Sequence, residues 1–329
     1  MTTPSDVSKA SNPKPHSHDD ADARFAPTEQ HCTVAGYSTR FLTAGSRHSV
    51  PVVLLHDGAW GGCSSVTWGP SIPTLARTHY VIAPDMLGFG GTDKTVFFDR
   101  NPYDFRIEHL IQFLDAVGIE EPVHVIGNSF GGSVALRMLA TYATSQRIRS
   151  VVSVAGTGGP WRTPLAMSNL GHWDGTEKDL QRIVALLVGT GPAAERHLGD
   201  RLRWASEPGH YRALASPGLE IPAPLQQPRP ADLWPVHLSG CMTPVLLVAG
   251  TDDLLLDPGW TEHLERVLEN CTTEWMDCLH SPNISHPKDL SAVITSFLTG
   301  IDHHDHPTAA RNAFPTEPKN RADPSQTRT

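Results

Sequence analysis

Val123-His-Val-Ile-Gly127-Asn128-Ser129-Phe130-Gly131-Gly132-Ser-Val-Ala-Leu-Arg-Met-Leu-Ala140 changes character at its middle. The β-branched residues from Val123 to Ile126 spell a short strand that stops at Gly127, and helix-forming residues begin just after Ser129. Between them stands G-x-S-x-G, written Gly127-Asn128-Ser129-Phe130-Gly131. A strand that turns sharply into a helix forces one serine into strained backbone geometry, the arrangement called a nucleophile elbow. Glycines two before and two after the serine let strand and helix pass close together, and Gly132 extends that small-residue patch. An ordinary serine in a glycine-rich turn would carry the same pentapeptide; the strand before and helix after favour the elbow.

Outward from the elbow, the chain alternates. On its N-terminal side, strand-like runs cover Cys32 to Val34, Tyr37 to Leu42, Val50 to Leu55 and Tyr80 to Met86. Gly36 and Ala44-Gly45-Ser46 mark the turns. A short helix is expected between Ser71 and Thr78. Ile107, Leu110, Ile111, Leu114 and Val117 are spaced as one face of a helix over Phe105–Val117, closed by Gly118. Beyond the elbow, Ile148 to Ala155 reads as a buried strand. Residues 160–236 then hold helical segments (Lys178–Leu187, Ala193–Trp204) and a proline-rich exit, with no strand run. Strand character resumes at Pro244–Gly250, followed by a helix (Gly259–Leu268), a strand (Thr273–Cys278) and a final helix (Pro287–Leu298). This order argues for an open, mostly parallel sheet with a helical lid inserted at 160–236. The domain reading is a polar tail at 1–28, a core in two parts at 29–159 and 237–301, and a second tail at 302–329.

Composition limits the function classes. The chain has 329 residues, 39% hydrophobic and 19% charged, as suits a globular protein with a substantial core. A net charge of -9 and the lack of a basic stripe argue against a nucleic-acid partner. No apolar run approaches the ~20 residues of a bilayer span, so no membrane partner is expected. The N-terminus lacks an apolar signal core. Cys32, Cys63, Cys241, Cys271 and Cys278 are odd in number and lack metal spacing, which reads as reduced thiols in the cytoplasm. His303, His304 and His306 read as part of a polar tail rather than a metal site. No cofactor and no metal are expected. The expected partner is a small-molecule substrate, and a homo-oligomer stays open.

A serine nucleophile needs a base, and the base needs an orienting acid. Asp252 and Asp253 follow the strand ending at Gly250, whereas the loop Gly156–Arg162 has no carboxylate. Asp253, three residues past Gly250, ranks above Asp252, which reads as a loop residue. Among the histidines beyond, His263 falls on a helix and His286 at a helix start. His280 follows the last strand directly and is the expected base. The oxyanion of a tetrahedral intermediate needs two N–H donors. Phe130, after the nucleophile, supplies one, and Gly58, in the loop after His56, the other. His56 itself reads as a loop anchor.

Leu54-Leu55-His56-x-Gly58, Asp85-x-x-Gly88-x-Gly90, Gly127-Asn128-Ser129-Phe130-Gly131-Gly132, Gly250-x-x-Asp253 and His280 together resemble the α/β-hydrolase superfamily over roughly residues 30–300. The resemblance implies an eight-stranded, mostly parallel sheet flanked by helices, with an inserted lid. Gly-Asn-Ser-Phe-Gly-Gly looks most like the meta-cleavage product hydrolases, which cut a carbon–carbon bond in vinylogous 1,5-diketones. In that group a lid arginine contacts the substrate carboxylate, which implies Arg201 or Arg203 here. Trp60, Phe130 and Trp161 are expected to line the pocket. Two departures stand out. Asp57 follows His56 where the group usually has glycine, and would either repel a substrate carboxylate or face solvent. Ser281 follows His280 where it usually has tryptophan. A carboxylesterase of the same fold and a non-catalytic ligand-binding relative are the alternatives.

Overall fold

In the computed structural model, which describes residues 24–140, 145–221, 226 and 231–305, eight strands make one sheet. They are β1 (Thr28–Val34), β2 (Tyr37–Ala44), β3 (Pro51–Leu55), β4 (Tyr80–Pro84), β5 (Val123–Asn128), β6 (Ile148–Val154), β7 (Val245–Gly250) and β8 (Cys271–Met276). Their spatial order is β1-β2-β4-β3-β5-β6-β7-β8. Only the β1–β2 and β2–β4 pairings are antiparallel; those from β4 through β8 are parallel. Strands covered on both faces must be apolar throughout, and β3, β4 and β5 are buried at every residue.

Helices cover both faces. In chain order they are α1 (Ser64–Trp68), α2 (Ile72–Leu75), α3 (Asp104–Ala116), α4 (Phe130–Arg137), α5 (Pro164–Asn169), α6 (Glu177–Val188), α7 (Pro192–Ala205), α8 (His210–Ala215), α9 (Trp260–Glu265), α10 (Pro282–Ser285) and α11 (Pro287–Asp305). One core joins Phe113, Leu114, Val134, Leu136 and Leu264 to one sheet face. The other joins Trp68, Ile72, Leu75, Leu290, Ile294 and Leu298 to the opposite face. The segment between β6 and β7 has a core of its own. Leu180, Ile183, Val184 and Leu187 of α6 pack with Leu198 of α7 against Trp60 and Leu255. Thr176 caps α6 by accepting the Asp179 N–H at 3.1 Å.

Two boundaries differ from the sequence reading. Residues 24–28 are not all tail: Phe25 packs against the second core and β1 begins at Thr28. The final helix does not stop at Leu298 but runs to Asp305, so residues 302–305 belong to the fold. The reason lies in Asp302, whose carboxylate is 3.3 Å from His79 Nε2, 3.1 Å from His124 Nε2 and 3.3 Å from Arg149 Nη1. The outer ring nitrogens meet Thr78 and Ser150 hydroxyls at 2.8 and 2.6 Å. Every ring nitrogen is engaged and a guanidinium shares the carboxylate, so the cluster is a hydrogen-bonded clasp holding α11 to the sheet. His306 lies outside the described residues. Among the described residues no helix is long and apolar enough to cross a membrane.

Because β3 through β8 run parallel, their carboxyl ends fall on one side of the sheet, where open α/β sheets hold their ligands. The loops after β3, β5, β7 and β8 therefore converge there.

Candidate active site

Ser129 stands directly after β5, as the N-cap of α4, with φ 55° and ψ -112°, a positive-φ backbone that few non-glycine residues adopt. Its N–H donates to Val154 O at 2.7 Å, and its carbonyl accepts the first helical bond from Ser133 N at 2.9 Å. The flanking glycines are there for space. A Cβ on Gly127 would lie 2.2 Å from Gly131 C, and one on Gly131 would lie 2.3 Å from Leu55 O. Any side chain at either position would push α4 off the sheet and move the serine with it.

The loops after β7 and β8 bring the other two groups. His280 Nε2 lies 2.8 Å from Ser129 Oγ, and His280 Nδ1 lies 2.7 Å from Asp253 Oδ2. Asp253 Oδ1 accepts the Leu255 N–H at 2.8 Å. Burial pushes the Asp253 carboxyl up, but His280 and the backbone N–H groups of Leu255 and Leu256 outweigh it and hold the carboxyl below its ordinary value. Asp252 is exposed and does not reach the imidazole. His263 instead stacks on Trp161, with ring centroids 4.7 Å apart.

Gly58 lies against Phe130 so closely that a Cβ on it would be 2.7 Å from Phe130 Cβ. Both border, with Ser129 and His280, a cavity of about 690 Å³. His56 anchors the Gly58 loop from below. Its Nε2 accepts the Met86 N–H at 2.9 Å and its Nδ1–H donates to Asp57 O at 2.7 Å, so one neutral tautomer satisfies both.

Three expectations fail. Arg201 does not face the cavity. It is fully buried and grips Asp57 with two parallel bonds of 3.0 and 2.8 Å. Asp57 accordingly neither faces solvent nor confronts the substrate. Burial raises its carboxyl, yet Arg201 and the Thr67 hydroxyl overcome that and hold it far below the usual range. Trp161 also misses the cavity wall, because its ring is taken by His263. Trp60 does line the cavity, with its indole N–H donating to Leu170 O at 3.2 Å.

Two groups of this site escape the sequence reading. Asn128, fully buried beside the serine, donates to His280 O at 3.3 Å and accepts from the Ser281 hydroxyl at 3.4 Å, so it ties the elbow to the histidine loop. Its position inside the pentapeptide was the available signal. Arg106 of α3 lines the cavity from a buried position. Its guanidinium donates to the Leu87 and Pro102 carbonyls at 3.0 and 2.8 Å, and lies 4.4, 5.2 and 5.3 Å from the ring centres of Phe105, Phe130 and Phe89. No carboxylate among the described residues pairs with it, and burial pulls it down to about 9. An arginine in the middle of an apolar helix face carries no sequence mark of this kind.

Chemically, the arrangement can move a proton from a hydroxyl to an imidazole backed by a carboxylate, beside a cavity whose wall holds the buried guanidinium of Arg106. Among known proteins, a model of the alpha/beta hydrolase family matches residues 52–293. The 2-hydroxy-6-oxo-6-(2'-aminophenyl)hexa-2,4-dienoic acid hydrolase of Metapseudomonas resinovorans is 28% identical over 279 residues, 83% of this chain and 92% of that one. The 2-hydroxymuconate semialdehyde hydrolase of Pseudomonas sp. (strain CF600) is 24% identical over 82% of this chain and 93% of its own. The solved structure of the 2-hydroxy-6-oxo-6-phenylhexa-2,4-dienoate hydrolase of Rhodococcus sp. strain RHA1 superposes with a TM-score of 0.71. That match covers 84% of this chain and 99% of that one at 23% identity, a likeness of fold.

Proposed function

The chain belongs to the alpha/beta hydrolase family, and from that premise we propose that it is a serine hydrolase cleaving a carbon–carbon bond in a small anionic dienoate ketone. In this reading Ser129 is the nucleophile, His280 the base and Asp253 the acid that orients it. The observation that carries the reading is the unbroken contact from Asp253 through His280 to Ser129, 2.7 and 2.8 Å, with the serine strained toward the cavity.

The chemistry follows from that contact. Asp253 fixes Nδ1–H on the imidazole, which leaves the Nε2 lone pair facing the Ser129 hydroxyl. The serine oxygen attacks the substrate carbonyl while Nε2 takes its proton. The Gly58 and Phe130 N–H groups receive the oxyanion, each such donor being worth ~3 kcal/mol of transition-state stabilisation. In the substrate's keto tautomer, the vinylogous 1,5-diketone whose leaving carbon already carries the former enol proton, collapse breaks the bond to that carbon, which departs as a conjugated dienolate and is protonated from His280. Water, deprotonated by His280, then releases the acyl group. Arg106 supplies positive charge in the cavity for the substrate's carboxylate, a role supported by its burial and by the lack of a carboxylate partner among the described residues. A small-molecule substrate and a cytoplasmic location complete the reading; five free thiols support the latter.

A second reading, ester hydrolysis on the same residues, is favoured by Ser281 standing directly after His280. A fluorophosphonate label on wild type and Ser129→Ala, with a chromogenic dienoate and a p-nitrophenyl ester assayed side by side, separates the cases. Labelling of wild type alone with dienoate turnover is the expected result. Ester turnover alone rejects the carbon–carbon substrate. No labelling of wild type rejects the hydrolase and leaves a ligand-binding relative.

A further inference from the structure

The Gly58 loop is held from the lid side as well as from the sheet. Asp57, the residue before Gly58, receives the Ala59 N–H at 2.9 Å and the Thr67 hydroxyl at 2.6 Å, in addition to both Arg201 nitrogens. Arg201 Nη1 also donates to Trp60 O at 3.0 Å, and its Nε donates to His197 Nε2, one turn earlier on α7, at 3.0 Å. The Gly61 N–H donates to His210 Nε2 of α8 at 2.9 Å. Gly61 adopts φ 73°, and a Cβ there would sit 2.1 Å from the Arg201 carbonyl oxygen. Residues 57, 60 and 61 are therefore all bonded to α7 or α8, and they bracket Gly58.

A buried ion pair is weak evidence for stability, since desolvation of both partners offsets their attraction. Its placement around one backbone donor asks for a different account. We propose that Arg201 and Asp57 are positioning residues: they seat the Gly58 loop against the lid, so that the oxyanion donors are aligned only while α7 is docked. This rests on Gly58 and Phe130 serving as those donors in the hydrolase reading above. The acceptors suit the task. Burial holds His197 at about 3 and His210 at about 4, so both stay neutral and keep the lone pairs that receive Arg201 and Gly61. The Arg201–Asp57 contact is thus independent of pH through the neutral range, and the lid and the loop form one unit. A displacement of about 1 Å at a reacting centre costs on the order of a hundredfold in rate.

The test is the double variant Asp57→Asn/Arg201→Met, which strands no charge, beside His210→Met, which removes the Gly61 tether together with the imidazole's ring contacts to Trp60 and Phe89. For the double variant, kcat on a p-nitrophenyl ester falls on the order of tenfold to a hundredfold while KM stays within about threefold. The affinity of phenylboronic acid, whose serine adduct mimics the tetrahedral oxyanion, falls by the same factor as kcat. His210→Met shows the same coupled loss on a smaller scale. A folded double variant, or a folded His210→Met if the double does not fold, with kcat and boronate affinity within about twofold of wild type overturns the proposal. So does a rise in KM with boronate affinity unchanged, which would make the pair a pocket wall. A wild type that neither turns over the ester nor takes a fluorophosphonate removes the hydrolase reading and this one with it; active wild type with unaffected variants removes only this one.

Discussion

Asp253 Oδ2 lies 2.7 Å from His280 Nδ1, although the two residues come from different loops, after β7 and after β8. Exposed Asp252, one residue earlier, makes no such contact. Asp253→Asn should lower kcat by about four orders of magnitude, because an amide at this place favours the wrong imidazole tautomer. Asp252→Asn should leave kcat within about twofold. Steady-state kinetics on the p-nitrophenyl ester decide it, and the reverse ranking would transfer the acid role to Asp252.

Acid should unfold the protein earlier than its carboxylates alone would dictate. Burial lowers His109 and His210 to about 4 and His197 to about 3. In the unfolded chain these histidines protonate near their ordinary value of about 6.5. Between about 6.5 and 4 the unfolded state therefore binds more protons, and stability falls as pH drops. The slope is about 1.4 kcal/mol per pH unit for each such histidine. Asp57 and Asp253, both depressed, add loss only below the ordinary carboxylate range. Urea titrations at pH 7, 6 and 5 should show this decline, and His109→Gln should make it shallower by one histidine's share. A stability constant from pH 7 to 5 would contradict the assignment of these imidazoles as neutral.

The clasp at the far end of the sheet makes the next claim. Asp302→Ala leaves buried His79 and His124 without their shared acceptor and should cost about 1–3 kcal/mol in a urea melt. Ending the chain at Ile301 should cost at least as much. If truncation there left the denaturation midpoint unchanged, α11 would not depend on this contact.

Arg106→Met separates charge recognition from folding. The methionine leaves the Leu87 and Pro102 carbonyls without their donor, so stability in a urea melt should fall by about 1–3 kcal/mol while the fold is kept. The KM for a dienoate carrying a carboxylate should rise on the order of tenfold to a hundredfold, the range of a lost charge-assisted bond of about 1.5–3 kcal/mol. The KM for a neutral ester should hold. Equal effects on both substrates would assign Arg106 a packing role.

Much of the site was legible because its parts are local. Each group sits within four residues of a strand's carboxyl end: Gly58 after Leu55, Ser129 after Asn128, Asp253 after Gly250 and His280 after Met276. Hydrophobic runs locate strands, and parallel strands deliver their ends to one edge, so order along the chain becomes proximity in space. The ends of the fold were harder. Asp302 lies in a His-Asp-rich polar stretch whose composition matches a tail, and only its partners in β5 and before β4 reveal a helix that continues.

The sequence by itself determined the elbow and the succession of strands and helices along the chain, and it singled out Ser129, Asp253 and His280, each from the few residues around it. Tertiary structure alone decided the fate of the charges. Asp57 and Arg201 are 144 residues apart, and nothing near either one announces the other. Whether a charged side chain faces solvent, substrate or an opposite charge depends on what the fold brings within about 3 Å of it. Thus Arg201, a candidate substrate contact by position, became a clamp on Asp57, and unmarked Arg106 became a buried cation in the cavity wall.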